Sequence, residues 1–285
     1  MKNREIPLSI FGKGGPEVTA VGLGGEGILR TFGRDPEAEQ VILEAMLQGI
    51  TYFDSARVYD GSEGYYGTMW SRHPEMRSKI FQTSKSAKRD KKGAEKDLEK
   101  TLATLHLDHL DLWQIHDLRT EDDFELISRP GGALEAFLEA KRTGRTRFIG
   151  VTAHHDPILL TRAIKEWPID SVLMPVNPVE AALRGFLDKT LPAAKKKGVA
   201  VIAMKVLGAG HYIFPDQGIT AEVLTRFALS QEVAVVIAGC STKKEVRTLA
   251  NTGRAWEPLT REEQDRIIDF FRPYAPKLAY YRGVL

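Results

Sequence analysis

The sequence has a single cysteine, no long apolar run and almost no excess charge, and each shortage excludes a class of protein. Because Cys240 is the only cysteine, the chain cannot form an intramolecular disulfide, which fits a reducing compartment. No apolar run approaches the ~18 residues of a membrane-spanning helix. The 40 Lys and Arg residues against 38 Asp and Glu residues leave a formal charge of +2, too balanced to indicate a nucleic-acid or membrane surface. A small molecule is therefore the expected partner.

The length and the first residues predict one unprocessed, cytoplasmic domain. Met1–Ile6 carries charges with no apolar stretch behind them, unlike a secretion signal. With 285 residues, 42% of them hydrophobic, the chain can bury a sizeable core. Because α/β barrels commonly run to ~250 residues without splitting, and no linker or repeat interrupts the chain, residues 1–285 are predicted to form a single domain.

Short apolar runs alternate with stretches of helical periodicity along the whole chain. Eight β-rich runs predict strands at Val18–Leu23, Ile50–Asp54, Ile80–Ser84, Leu110–His116, Phe148–Thr152, Ser171–Met174, Val199–Met204 and Val233–Ile237. Seven stretches between and after them predict helices at Pro36–Gln48, Lys92–Leu105, Gly132–Arg142, Pro157–Glu166, Leu187–Lys197, Thr220–Ser230 and Lys243–Ala250. This order predicts a closed parallel (β/α)8 TIM barrel, although a doubly wound open sheet would give a similar pattern.

The two ends of the chain predict additions to the barrel. Ile6–Phe11 and the turn Gly12–Pro16 indicate an N-terminal β-hairpin that plugs one end. Thr260–Phe271 predicts an extra C-terminal helix that starts at a capping box formed by Thr260 and Glu263.

Four polar residues lie where consecutive predicted strands end. Asp54 ends the second strand, Lys85 directly follows the third, His116 ends the fourth, and Tyr59 lies on the loop after Asp54. Taken alone, each has a structural interpretation as a cap, a packed ring or a satisfied core residue. Because the carboxyl ends of parallel strands meet at one face of a barrel, we expect the four side chains to form one acid/base set.

The expected acid of this set is Tyr59. Its reference pKa of about 10 makes tyrosine a poor acid near neutrality, but a nearby ammonium stabilises the phenolate and lowers that pKa. Lys85 could supply the ammonium, and an ionised Asp54 would keep Lys85 protonated. His116 could hydrogen-bond a carbonyl oxygen and fix its direction.

The segments that carry these residues resemble the signatures of the aldo-keto reductase family in order and approximate spacing: Tyr52–Tyr59 followed by Gly61–Glu63, Thr83–Lys85 and Leu110–His116. The resemblance covers nearly the whole chain, from Val18–Gly24 to Ile237–Thr242. It implies an oxidoreductase in which Tyr59 donates the proton, Lys85 and Asp54 tune it, and His116 orients the substrate carbonyl. Hydride would come from C4 of a reduced nicotinamide, so an aldehyde or ketone would become an alcohol, or the reverse.

Several nicotinamide contacts of the family are altered, which indicates a divergent, prokaryotic-type branch. Thr152–Ala153 stands where many members have Ser-Asn, so Thr152 keeps one hydrogen bond and Ala153 cannot supply the other. Where a Tyr usually stacks on the ring, Met204 offers a polarisable contact and Lys205 could reach the pyrophosphate. The usual Gln is replaced near Leu173, whereas Asn177 is kept.

The loop after the eighth strand is the expected phosphate site, because barrels often bind phosphate there with backbone N–H groups and a helix N-terminus. Ser241 to Lys244 suit an adenosine 2′-phosphate, and the same residues also read as an ordinary capping box of Thr242 and Glu245. The family favours NADP(H) over NAD(H), and Glu245 weakens that preference. The complete implied cofactor site is Gly24, Thr152, Asn177, Met204, Lys205, Leu207, Gly208, Gly239, Ser241, Thr242, Lys243 and Lys244.

Other motifs have weaker interpretations. Gly22–Gly27 satisfies a Rossmann-type G-x-G-x-x-G pattern, but Leu29–Gly33 separates it from the next helix, so we interpret it as a tight turn or a close approach to a ligand. His154–Asp156 has no third ligand at convincing spacing, nor does the pair His106 and His109, so no metal is expected. Asp117–Gly131 is predicted to be a mobile wall of the substrate pocket or a solvated loop.

Three further expectations concern the C-terminus, the cysteine and the function. Tyr274, Tyr280 and Tyr281 either fold over the barrel opening or pack on its exterior, and Cys240 packs beside the cofactor. Two alternatives to the reductase stay open: a nicotinamide-nucleotide-binding regulatory subunit on the same barrel, and a phosphate-handling barrel lyase or isomerase. An intact set of Asp54, Tyr59, Lys85 and His116 favours catalysis on a small carbonyl or alcohol substrate.

Overall fold

The computed structural model describes residues 5–283 and contains ten strands. A two-stranded antiparallel hairpin precedes a closed barrel in which all eight strands pair in parallel and the last strand pairs with the first. The hairpin strands are β1 (Leu8–Ile10) and β2 (Glu17–Thr19), and the barrel strands are β3 (Val21–Gly27), β4 (Tyr52–Phe53), β5 (Phe81–Ser86), β6 (Leu110–Ile115), β7 (Thr146–Thr152), β8 (Ser171–Pro175), β9 (Ala200–Met204) and β10 (Val235–Cys240).

Helices connect the strands and surround the barrel. The α-helices within residues 5–283 are α1 (Asp35–Leu47), α2 (Ser62–Arg72), α3 (Lys91–Leu105), α4 (Glu121–Ser128), α5 (Ala133–Arg142), α6 (Pro157–Glu166), α7 (Pro178–Leu183), α8 (Leu191–Lys197), α9 (Ala221–Leu229), α10 (Lys243–Ala255), α11 (Arg261–Phe271) and α12 (Ala275–Leu278). Shorter 3-10 helices span Ile28–Arg30, Pro74–Lys79, Gly208–Gly210, Pro215–Gln217 and Tyr280–Arg282, and a π-helix spans Phe186–Thr190. None of these helices is long and apolar enough to cross a membrane.

The predicted barrel, N-terminal hairpin and C-terminal helix are confirmed, but the first predicted strand is two elements. Val18 and Thr19 belong to β2, and the chain bends at Ala20 before β3 begins. The Thr19 hydroxyl donates to the Val21 carbonyl at 2.8 Å across this bend. Because Val18 and Val21 are apolar and buried on either side of the bend, the sequence pattern does not reveal it.

The hairpin closes the amino end of the barrel, as predicted. Phe11 is buried and lies 4.8 Å, centroid to centroid, from Phe81 and 5.7 Å from Phe148. Tyr52 stacks on Phe81 at 5.3 Å in the same cluster. This aromatic layer fills the barrel interior beneath the carboxyl ends of the strands, so the polar residues above it rest on a packed floor.

Four α-helices within residues 5–283 are absent from the sequence prediction: α2, α4, α7 and the short C-terminal α12. The helix α2 is rich in glycine, and Gly67 is needed because a Cβ there would lie 2.0 Å from the Thr104 carbonyl oxygen of α3. The helix α4 lies inside the predicted loop Asp117–Gly131, where Thr120 caps it by accepting from Asp123 N at 3.1 Å. The short helix α7 follows Asn177, and the predicted helix Leu187–Lys197 is a π-helix that continues into α8.

Candidate active site

A buried ion pair lies at the carboxyl ends of β4 and β5. Lys85 Nζ donates to Asp54 Oδ2 at 2.6 Å and to the Ser55 carbonyl at 2.7 Å. The Thr83 hydroxyl donates to Asp54 Oδ1 at 2.8 Å. Asp54 is 2% exposed and Lys85 is 1% exposed, so each charge depends on the other for compensation. Because β4 ends at Phe53 and β5 continues to Ser86, Asp54 lies just past its strand and Lys85 lies within its own.

Tyr59 lies against this pair, and His116 lies at the edge of its ring. Lys85 Nζ is 4.8 Å from the centroid of the Tyr59 ring, and the guanidinium carbon of Arg30 is 4.9 Å from it. The His116 ring lies 5.6 Å away, nearly perpendicular. The structure therefore brings the four predicted residues together, and it adds Arg30, which sequence reasoning missed because it follows a glycine-rich strand without a recognisable motif.

The glycine-rich end of β3 makes room for this cluster. A Cβ at Gly25 would lie 2.7 Å from the Asp54 carbonyl oxygen and 2.9 Å from a ring carbon of Tyr59. A Cβ at Gly24 would lie 3.0 Å from Gly239 N of the neighbouring strand β10. The glycines of the G-x-G-x-x-G pattern thus allow Asp54, Tyr59 and β10 to pack closely against β3 at the barrel mouth. The chain then continues into a 3-10 helix, Ile28–Arg30.

Burial controls the protonation of this site. It raises the pKa of Tyr59 well above its ordinary value, and the carboxylates of Asp54 and Glu26 act in the same direction. Burial lowers the pKa of Lys85 and outweighs the opposing effect of Asp54. Burial and the charge of Lys85 lower the pKa of His116 to about 3. At neutral pH the phenol is therefore protonated and the imidazole is neutral.

The effect of Lys85 on Tyr59 differs from the sequence expectation. We expected the ammonium to lower the pKa of the phenol, but in the structure that pKa is raised. The main physical reason is burial, which disfavours the charged phenolate; the carboxylate of Asp54, which contacts Lys85 at 2.6 Å, raises the pKa of Tyr59 further and opposes the effect of the ammonium. Arg30 is the cation that acts to lower this pKa, and it is itself paired with Glu26 at 2.9 Å.

Arg89 anchors the chain that leaves His116. Its guanidinium donates to the His116 carbonyl at 2.8 Å and to the Asp117 carbonyl at 2.6 Å, and it pairs with Asp123 Oδ1 at 2.9 Å. The segment Asp117–Gly131, predicted as a mobile pocket wall or a solvated loop, is therefore tied to the loop after β5 and contains α4. Nothing in the local sequence around Arg89 marked this contact.

Two of the predicted nicotinamide contacts are used within the protein. The Thr152 hydroxyl accepts from Asp117 N at 2.7 Å. Asn177 donates to the Lys205 carbonyl at 3.0 Å and to the Tyr281 hydroxyl at 3.1 Å, while its Oδ1 accepts from Glu180 N at 2.9 Å as the cap of α7. Both amide hydrogens of Asn177 are thus used in hydrogen bonds within the protein. The sequence could not indicate this, because Tyr281 lies about a hundred residues after Asn177.

The β9 loop lies beside Asn177 at the barrel mouth. Met204 ends β9 and is partly buried, Lys205 follows with a φ of 56°, and Leu207 is half-buried. At Gly208, φ is 55° and a Cβ would lie 2.6 Å from the Tyr212 ring. A glycine is therefore required at this turn.

The predicted phosphate loop is built as a capping box. The Thr242 hydroxyl accepts from Glu245 N at 3.2 Å, and Glu245 Oε2 accepts from Thr242 N at 3.2 Å and from Ser241 N. The carboxylate of Glu245 thereby occupies the N–H groups that a phosphate would use at this helix N-terminus. The side chains of Lys243 and Lys244 are exposed at the start of α10.

The C-terminal segment covers part of the same face. Tyr281 is buried, and its carbonyl lies 3.0 Å from His154 Nδ1. Arg282 is partly exposed, pairs with the buried carboxylate of Glu180 and donates to the Arg184 carbonyl at 2.8 Å. Tyr274 and Tyr280 remain exposed. Of the three C-terminal tyrosines, Tyr281 thus lies over the barrel opening.

A (β/α)8 barrel with titratable side chains at the carboxyl ends of its strands has the architecture of a barrel enzyme. The chain matches the profile of the Aldo/keto reductase family over residues 20–213, more than half of its length. It belongs to the aldo/keto reductase family, which confirms the resemblance and makes the protein an oxidoreductase.

Individual relatives agree with this assignment and show how far the chain has diverged. L-galactose dehydrogenase of Arabidopsis thaliana is 29% identical over 266 residues, which cover 86% of this chain and 79% of that protein. The holo form of an aldo-keto reductase from Bacillus halodurans has a TM-score of 0.78 at 20% identity, covering 93% of this chain and 96% of that one. An aldo-keto reductase from Klebsiella pneumoniae in complex with NADPH has a TM-score of 0.74 at 17% identity, covering 94% and 95%.

Proposed function

We propose that this protein is an NADP(H)-dependent oxidoreductase that reduces an aldehyde or ketone to an alcohol, or catalyses the reverse, with Tyr59 as the general acid. The observation that carries the proposal is the Lys85–Asp54 pair, with Nζ and Oδ2 2.6 Å apart, beneath a Tyr59 ring that has His116 at its edge. A charged pair this deeply buried is expensive to maintain, and such groups concentrate at functional sites.

The protonation states give each residue a role in reduction. Because burial raises the pKa of Tyr59, the phenol holds its proton until a carbonyl oxygen that gains negative charge takes it. His116 is neutral, so it can donate one hydrogen bond to that oxygen and orient it. Lys85 positions the phenol, and Asp54 fixes Lys85. The reduced nicotinamide supplies hydride from C4 when it is bound.

The residues of the cofactor site fit a phosphorylated nucleotide through side chains. Lys243 and Lys244 are exposed beside α10 and can pair with a 2′-phosphate, whereas the backbone N–H groups there already bind Glu245. In this proposal Thr152, Met204 and Lys205 line the approach to the nicotinamide, while Gly24, Gly208 and Gly239 allow the close backbone and ring contacts that shape the rim. This arrangement supports a preference for NADPH over NADH that is modest, because Glu245 opposes the two lysines.

Sugars are the first substrate class to test. One relative that covers most of this chain is named for the oxidation of L-galactose. The half-buried acids, imidazoles and hydroxyls at this barrel face also suit a ligand with several hydroxyl groups. The proposed substrate is therefore a small polyhydroxylated aldehyde, ketone or the corresponding alcohol.

Single-turnover kinetics with the wild-type chain test the proposal. Each reduced cofactor is titrated by fluorescence and then mixed with aldoses, simple aldehydes and ketones while nicotinamide absorbance is followed. Oxidation of bound NADPH by at least one carbonyl class is expected. Binding without any turnover would favour the regulatory subunit, which the engaged Asn177 keeps open as a second candidate. If neither NADPH nor NADH bound, both the reductase and the regulatory subunit would be refuted.

A further inference from the structure

Three metal-type ligands converge beside the proposed active site. Asp117 Oδ1 lies 3.2 Å from His154 Nε2 and 3.4 Å from His155 Nε2, and all three atoms lie within 4.8 Å of one another. Asp117 follows His116 after β6, and the histidines follow β7. The side chains are 15%, 20% and 22% exposed, so the cluster is partly sheltered from water. Within residues 5–283 it is the one such group of three.

One hydrogen bond at the edge of the cluster sets the tautomer of His154. His154 Nδ1 lies 3.0 Å from the Tyr281 carbonyl, which can only accept, so Nδ1 carries the proton of a neutral imidazole. The lone pair on Nε2 then faces a lone pair of Asp117 Oδ1. Asp117 Oδ1 and His155 Nε2 are buried atoms with no hydrogen-bond partner among the described residues. A cation between the three atoms would satisfy all of them at once.

The spacing of these atoms matches a metal site. For metal–ligand bonds of about 2.0–2.1 Å, two ligands of a tetrahedral zinc ion lie roughly 3.3 Å apart. The two distances from Asp117 Oδ1, 3.2 and 3.4 Å, bracket that value. The ligand nitrogens of the two imidazoles lie within 4.8 Å of each other.

Surrounding contacts orient the ligands as they do in known metal centres. A ligating histidine usually donates its other N–H to a carbonyl or carboxylate, as His154 does to Tyr281. Arg119 Nε donates to Asp117 Oδ2 at 2.7 Å, which leaves Oδ1 free to face the imidazoles. Asp117 is held at a φ of 59°, an uncommon conformation for a residue other than glycine, by the bond from its own N–H to Thr152 and by Arg89 on its carbonyl.

We propose that Asp117, His154 and His155 bind one Zn²⁺ ion. Two imidazoles and one carboxylate are a ligand set that Zn²⁺ takes, and three protein ligands leave a fourth position for water or a substrate oxygen. The site adjoins His116 through the peptide bond to Asp117. It goes beyond the proposed hydride transfer and does not depend on it. Sequence spacing had shown no third ligand for His154, because Asp117 is contributed by the preceding strand.

Zinc binding is tested on the full-length chain after exhaustive dialysis against a chelator. Competition with a chromophoric chelator gives stoichiometry and affinity for the wild type, His155→Ala, Asp117→Asn and His106→Asn. His106 is an exposed histidine at the opposite end of the barrel, so its variant is the matched control. One zinc per chain is expected for the wild type and the control. The first two variants are expected to lose affinity more than about 100-fold, beyond the range seen for residues that only support a ligand.

Two results would overturn the site. The first is a zinc affinity of the wild type no greater than that of His155→Ala. The second is an equal zinc affinity in the wild type and all three variants, which would locate the ion elsewhere. X-ray absorption spectroscopy of the zinc-loaded wild type needs no variant, and it should show two imidazole nitrogens and at least one oxygen. A sulfur ligand or a single imidazole would contradict the proposed ligand set even if a variant failed to fold. Nucleotide titration in the same samples separates this outcome from failure of the proposed function.

Discussion

Replacing Tyr59 with phenylalanine should remove the proton donor while leaving the fold intact. The ring would keep its contacts with Lys85, Arg30 and His116. The hydroxyl has no hydrogen-bond partner within residues 5–283, so its loss breaks no structural bond, and stability should change by less than about 0.5 kcal/mol. General acid catalysis contributes typically ~10²- to 10⁴-fold, or roughly 2.7–5.4 kcal/mol of barrier. The effect on chemistry should therefore greatly exceed the effect on stability.

The assay is single-turnover oxidation of bound NADPH by the best carbonyl substrate, because it isolates chemistry from product release. Tyr66→Phe is the matched control. It removes a tyrosine hydroxyl that is also unpartnered, on the neighbouring helix α2, where Tyr66 stacks on Trp70. The control should reduce the carbonyl at the parent rate, and both variants should bind NADPH normally.

Lys85 is a less informative target for the same question. Its removal would leave Asp54 as a buried charge without its partner, which typically costs 3–5 kcal/mol, so a lost rate could reflect a disrupted fold. Tyr59→Phe avoids this ambiguity. A Tyr59→Phe protein that reduces its substrate within about threefold of the parent rate would refute the assignment of the acid, since even weak general acid catalysis exceeds that factor.

Three further changes test neighbouring parts of the site. Glu245→Arg should widen the preference for NADPH over NADH, because it removes a repulsive carboxylate and adds a phosphate donor; an unchanged ratio of the two dissociation constants would place the 2′-phosphate elsewhere. Arg89→Met should raise the KM for the carbonyl substrate severalfold and spare nucleotide affinity, because it frees the chain after His116; collapse of nucleotide binding in a folded variant would contradict this. Cys240 should resist thiol reagents in the native protein and react after denaturation, because burial raises the pKa of its thiol to about 12; rapid native labelling would show that the β10 end opens.

Residues at strand ends could be located from sequence because their placement depends on local order alone. Asp54 and His116 directly follow apolar runs, Lys85 lies at the end of another, and parallel strands bring such positions to one face. The structure places them within one cluster with Tyr59, as expected. Their protonation could not be predicted in the same way, because it depends on how completely Asp54 neutralises Lys85 and on the depth of burial.

The contacts missed from sequence join distant segments, either through strand register or through the return of the C-terminal segment. The β6–β7 pairing sets Ile115 beside Val151, which places Asp117 level with the start of the loop that carries His154 and His155. A shift of two residues in that register would separate them. Tyr281 reaches Asn177 only because the C-terminal segment returns over the barrel mouth, and no periodic pattern reports that return.

The resting charges of the site bear on the direction of the proposed reaction. Both cations near the Tyr59 ring are paired, Lys85 with Asp54 and Arg30 with Glu26, so neither presents a full positive charge to the phenol. Burial therefore dominates and keeps the phenol protonated. If Tyr59 is the acid, carbonyl reduction starts from the state that the free protein already occupies, whereas alcohol oxidation must first remove a proton whose loss burial opposes. The same electrostatics that make Tyr59 a reluctant acid in isolation thus favour reduction near neutral pH, once a developing alkoxide provides a stronger base beside it.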